Sequence, residues 1–118
     1  MQRYESLTAW QRAHDFALAV FKATEAWPKR EWYGVAAQIR KSAYSVPANI
    51  AEGAAKKSRK EFRHHLDIAI GSLDETHYGL RFAMDLGFMD LPTKDRLEAL
   101  RMEASKCLWG LAKSVEGK

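Results

Sequence analysis

The chain has one cysteine, three prolines and seven glycines in 118 residues. A single thiol, Cys107, cannot form a disulfide within the chain, which fits a reducing compartment. So few prolines and glycines leave too little turn-forming material for an all-β fold. No apolar stretch approaches the roughly 18 residues that span a bilayer, and the opening MQRYESLTAWQRAHDF carries no apolar signal-peptide segment. Neither phosphate loop, GxGxxG or GxxxxGK[ST], occurs, nor does the G-x-S-x-G elbow. A single E-x-x-H, Glu61 to His64, is half the pair that a di-metal bundle site needs. His64 and His65 project about 100° apart on a helix and cannot share one metal. No cofactor, metal ligand or catalytic residue is expected, and the chain reads as a non-enzymatic, soluble cytoplasmic protein with no membrane partner.

What is abundant are helix formers, Ala, Leu, Glu, Lys and Arg, in a chain 47% hydrophobic and 29% charged. Four apolar stripes recur at three- and four-residue steps. The first runs from about Thr8 to Trp27, with Ser6 or Thr8 as N-cap and Pro28 as its stop. The second, from Val35 through Ile39, Ala43, Val46 and Ile50, passes Pro47 without losing phase, which predicts one kinked helix rather than two. Gly53 is either its C-cap or a close packing point. The third opens on the capping box Ser58–Glu61 and runs to about Leu86, with Gly87 as its cap. The fourth begins near Pro92 and continues to about Val115. The expected fold is all-α, an up-down-up-down four-helix bundle filling residues 1–118 as one domain.

Trp10, Trp27, Trp32 and Trp109 are read mainly as core anchors, with Trp32 and Tyr33 partly exposed beside Pro28-Lys29-Arg30. Phe16, Leu18, Ile68 and Ile70 fall off the main stripes and are expected to face a neighbouring subunit. In SVPANIAEG, residues 45–53, Val46 and Ile50 are core positions. Pro47, Asn49, Glu52 and Gly53 are given structural roles, with Asn49 and Glu52 hydrogen-bonding to other helices or subunits and Asn49 a candidate partner for backbone freed near the kink.

Charge placement is the functional signal. Of 19 basic and 15 acidic residues, five and one lie in KKSRKEFR, residues 56–63, which leaves 14 of each elsewhere. The whole net charge of +4 therefore sits at one predicted helix–helix turn. Lys56, Lys57, Arg59, Lys60, Arg63 and His64, with Arg40 and Lys41 earlier on the second helix, are the candidate nucleic-acid-binding residues, gripping phosphates without base specificity. A solvated helix start, or a rim that docks an acidic protein surface, accounts for the same residues.

These blocks occur together as Leu7-x-x-Trp10, QIR at 38–40, SVPANIAEG at 45–53, SRKEF at 58–62, IAIGSLDE at 68–75 and LGF at 86–88. Over residues 4–114 the chain resembles the four-helix-bundle proteins encoded within intervening sequences of bacterial 23S ribosomal RNA genes. It is also similar to the accessory variability determinants of diversity-generating retroelements. The resemblance implies a bundle that assembles as a ring-like homopentamer and, in the retroelement branch, one that binds nucleic acid and a reverse transcriptase. It implies no catalytic residues.

Overall fold

The computed structural model describes residues 1–116 and consists of four long helices: α1 (Thr8–Thr24), α2 (Val35–Ala54), α3 (Arg59–Asp85) and α4 (Leu91–Glu116). Short 3-10 turns at Arg3–Ser6 and Lys29–Glu31 lead into α1 and α2, and no strand occurs among the described residues. Each helix packs on its sequence neighbours, and α1 closes the bundle against α4. The body measures 45 × 25 × 24 Å, its long axis set by the ~40 Å length of α3.

The expected four-helix bundle is the observed one, and the helix through Pro47 is continuous from Val35 to Ala54. The core is a column of fully buried side chains, led by Phe16, Ile50, Leu66, Leu73, Leu97 and Leu108. Phe16 is thus in the core and does not face a neighbouring subunit, and Ile70 packs partly buried against that core. The reason is that α1 and α3 each touch two helices, so their buried faces are wider than one stripe. Leu18 and Ile68 are exposed. Trp27 is buried and Trp10 half-buried, but Trp109 is 54% exposed and so is not a core anchor.

The tightest seam is α2 against α3, where antiparallel helices approach at small residues. Near one end a Cβ on Gly79 would lie 2.6 Å from Ile39 Cγ1. Near the other, a Cβ on Gly53 would lie 2.7 Å from His65 Cβ and 2.9 Å from Phe62 Cδ1. Gly53 is therefore the packing point and not the cap, since α2 runs on to Ala54 and ends at Ala55. Between the glycines, Ser42 Oγ and Thr76 Oγ1 share a hydrogen bond of 2.7 Å, and Ser45 Oγ and Ser72 Oγ one of 2.9 Å. Buried hydroxyls are thus paired across the seam, which removes the penalty of burying them alone.

Helix ends account for most departures from the expected boundaries. Leu7 occupies the α1 N-cap position with no side-chain bond, so neither Ser6 nor Thr8 caps it; the Ser6 hydroxyl instead donates to the Arg3 carbonyl. α1 stops at Thr24, short of Trp27. The Arg40 Nε donates to Thr24 Oγ1 at 2.6 Å and its Nη2 to the Phe21 carbonyl at 3.2 Å. These bonds hold the last turn while the chain swings Trp27 onto Phe88, ring centroids 5.6 Å apart. Arg3 likewise donates to the Ala54 carbonyl at 3.1 Å, satisfying the end of α2. α3 ends as a Schellman turn: Gly87 N–H bonds to the Met84 carbonyl and Phe88 N–H to the Ala83 carbonyl. That turn requires the positive φ of 80° which Gly87 adopts. Asp90 caps α4 through the Thr93 N–H at 2.9 Å, and its hydrogen bonds with Thr93 hold the carboxyl below its ordinary range.

Glycine substitutions separate packing from propensity. Gly53→Ala should lower the unfolding free energy by about 1–3 kcal/mol, because overpacking exceeds the helix-propensity gain of about 1 kcal/mol. Gly71→Ala, with open space around its Cβ, should raise it by about 0.5–1 kcal/mol in the same urea titration.

Candidate nucleic-acid interface

The candidate surface is built by the turn from α2 to α3. Ala55 closes α2, and Ser58 opens α3 by accepting the Glu61 N–H at 3.1 Å. Its hydroxyl in turn donates to the Glu61 carboxylate at 3.2 Å, so the capping box forms in one direction only. The cap fixes the helix start and so fixes where Lys56, Lys57, Arg59 and Lys60 emerge. All four are exposed, and none forms an ion pair among the described residues. His64 is exposed beside them. Lys56, Lys60, Glu61, His64 and His65 line a shallow depression of about 340 Å³.

The other three predicted binding residues lie elsewhere or are committed. Arg63 is only 26% exposed in its side chain; it donates to the Ala112 carbonyl at 2.8 Å and pairs with Glu116 and Asp67. It therefore ties α3 to the last described turn of α4. Arg40 is the partner of the α1 terminus and packs over the Phe21 ring, 5.1 Å from its centroid. Lys41 is exposed but sits about 22 Å along α2 from Lys56.

Behind the depression lies a polar network. Asn49 Nδ2 donates to the Ser45 carbonyl at 2.9 Å and to Ser45 Oγ at 3.0 Å. Asn49 Oδ1 then faces His65 Nδ1 at 3.1 Å, and the Glu52 carboxylate stands 3.5 Å from the same nitrogen. Asn49 thus hydrogen-bonds across to α3, whereas Glu52 reaches it only at ion-pair distance. The carbonyl Asn49 meets is its own fourth-preceding one, Ser45, and not that of Ala43, which Pro47 leaves without a donor. Pro47 itself is buried and lines a different feature, an apolar groove of about 430 Å³ on α1 and α2. Trp10, Leu18, Phe21, Tyr44, Ala48 and Ala51 line that groove with it.

Sequence reasoning missed His65 and Arg3. The signal for His65 was present: Ser42, Ser45, Asn49 and Glu52 repeat at helical spacing along one edge of α2, mirrored by Thr76, Ser72 and His65 on α3. Arg3 precedes every helix, and nothing local reveals that it reaches Ala54 and stands 6.0 Å over the Phe62 ring. Elsewhere on the bundle, Arg101 hydrogen-bonds Glu98 and holds that carboxyl below its ordinary range, with His77 3.3 Å away. Among the described residues no group of three His, Cys, Asp or Glu is placed to hold a metal ion, and no helix is long and apolar enough to cross a membrane.

Residues 5–110 match the model of the 23S rRNA-intervening sequence protein family. The chain belongs to that family. The structure is also similar to a crystal structure from Bacteroides thetaiotaomicron, described as a protein with unknown function from the S23 ribosomal protein family. The two share a TM-score of 0.81 at 23% identity, over 89% of this chain and 95% of that one. That likeness carries the fold. No curated protein matches the chain.

Arg63 and its lysine neighbours should separate cleanly in stability measurements. Arg63→Ala should cost about 1–2 kcal/mol in urea unfolding, since it removes a charged donor from a helix-end carbonyl. Lys60→Ala should change stability by less than about 0.5 kcal/mol.

Proposed function

We propose that this family member is a non-enzymatic, self-associating bundle whose α2–α3 end binds nucleic-acid phosphates. The observation that carries the reading is the cluster of Lys56, Lys57, Arg59 and Lys60, exposed, without acidic partners among the described residues, and gathered at one capped turn. Cations already bonded to carbonyls or carboxylates have little left to give a ligand; these four do. Phosphate contacts of this kind release counterions and carry no base specificity. Replacing all four by Glu should flatten the slope of log K against log salt by about 0.9 unit for each lost duplex contact, read by fluorescence anisotropy. Arg96→Glu at the other end of the bundle should leave the slope as it was. An unchanged slope in the fourfold variant would remove this turn as the binding site.

Self-association rests on the apolar groove between α1 and α2, where Leu18, Phe21 and Tyr44 are exposed. The α3–α4 half of the bundle carries Ile68 and Trp109, also exposed. Two unlike apolar surfaces on opposite helix pairs favour head-to-tail contact, which closes into a ring when the rotation permits, and the family resemblance implies five subunits in that ring. Each subunit in such a ring would add its own basic turn, and the contacts would reinforce one another. Light scattering at micromolar concentration should give the mass of five chains, and Leu18→Glu should give one. A monomeric wild-type chain would sink the ring. The groove also favours a second reading, a scaffold that docks a protein such as a reverse transcriptase, because an apolar groove suits a protein better than a polyanion. Capture of that enzyme that survives nuclease treatment would support it.

A further inference from the structure

The depression beside the basic turn holds acceptors as well as donors: the Glu61 carboxylate, which already accepts the Ser58 hydroxyl at 3.2 Å, and one nitrogen of His65. The Ser45 carbonyl can only accept, so the Asn49 group bonded to it at 2.9 Å is the amide NH2, and the oxygen of that amide faces His65. His65 Nδ1 therefore meets two acceptors, Asn49 Oδ1 at 3.1 Å and Glu52 Oε2 at 3.5 Å, and must carry a proton. In the neutral ring the lone pair then lies on Nε2, which has no hydrogen-bond partner among the described residues. The one buried side-chain nitrogen or oxygen left without a partner there is Trp27 Nε1, so His65 Nε2 is not wholly buried, in a side chain that is 15% exposed. The imidazole borders the depression shared with Lys56, Lys60, Glu61 and His64. His65 itself is wedged beside Gly53, whose absent side chain lets the two helices close at this level.

We propose that His65 Nε2 accepts a hydrogen bond from the ribose 2′-hydroxyl of RNA bound at this turn, so that the site selects RNA over DNA. This inference rests on the phosphate-binding reading above and adds the substrate class. The two lysines supply what a phosphate needs, and an acceptor fixed beside them suits a hydroxyl donor carried on the same backbone. The 2′-hydroxyl is the group of that kind which RNA has and DNA lacks. The tautomer is set from inside the bundle by Asn49, through Ser45 and Ser72, so the acceptor is fixed before ligand arrives.

The test uses the full chain and three duplexes of one sequence: RNA, DNA, and RNA with 2′-O-methyl groups, which keeps the A-form shape but removes the donor. Wild-type protein should bind RNA about three- to tenfold more tightly than either of the others, the range expected for one neutral hydrogen bond. His65→Asn places an amide N–H near the Nδ1 position, keeping the bond to Asn49, and deletes Nε2. It should bind all three duplexes alike, at the wild-type affinity for DNA and with the wild-type salt slope. Equal wild-type binding of RNA and 2′-O-methyl RNA would overturn the assignment, as would an RNA preference that survives in His65→Asn. Either result would leave phosphate binding at the turn intact. Binding with no salt dependence to any duplex would instead overturn the phosphate reading and this inference together. The methylated duplex keeps the proposal falsifiable even where the variant fails to fold.

Discussion

The close approach of α2 and α3 is the constraint on which the rest of the structure depends. Gly53 and Gly79 leave no room for a methyl group near either end of the seam, and small hydroxyl residues fill the length between them. At such short range, side chains cannot slide to relieve a mismatch, so the register of the two helices is fixed. The register then decides the chemistry of the surface. It sets Asn49 opposite His65 and brings the end of α2 directly onto the start of α3, leaving only a tight turn to carry the lysines. Pro47 fits this arrangement because it costs α2 one hydrogen bond while its buried ring lines the groove on the α1 side, away from the seam.

Much of this was legible in the sequence, and the exceptions share a physical cause. The unbroken phase of Val46 and Ile50 around Pro47 identified a continuous helix, because helical period is a local property. Ser58–Glu61 marked the start of α3 for the same reason. The end of α1 was misplaced because a guanidinium from another helix stabilises it, and no window of local sequence contains both Thr24 and Arg40. Phe16 was misplaced because a stripe records one buried face, whereas α1 packs on two helices; Trp109 was misread because its size suggested an anchor, although it lies off the α4 stripe that buries Leu108 and Ala112. Charge counting finds the basic segment as a stretch of chain. That Arg63 faces α4 while Lys60 faces outward is a matter of where a neighbouring helix ends, which charge counting cannot reveal.

Three arginines that look alike in composition share one task in the fold. Arg40 meets carbonyls at the end of α1, Arg3 at the end of α2 and Arg63 at the last described turn of α4, while α3 closes with its own glycine turn. The guanidinium suits this work because its planar fork offers several donors on a long stem. The effect on the molecule's field is directional. Aligned peptide dipoles leave negative partial charge at helix C-termini and positive at N-termini. At the basic end, Arg3 and Arg63 offset the negative termini of α2 and α4, so the positive termini of α1 and α3 add to the lysines. At the far end Arg40 offsets the α1 terminus, the α4 N-terminus is met by the Asp90 carboxylate, and among the described residues no arginine bonds to the Schellman terminus of α3. The 45 Å body is therefore polarised along its length, and a distant polyanion would turn it end-on before any contact forms.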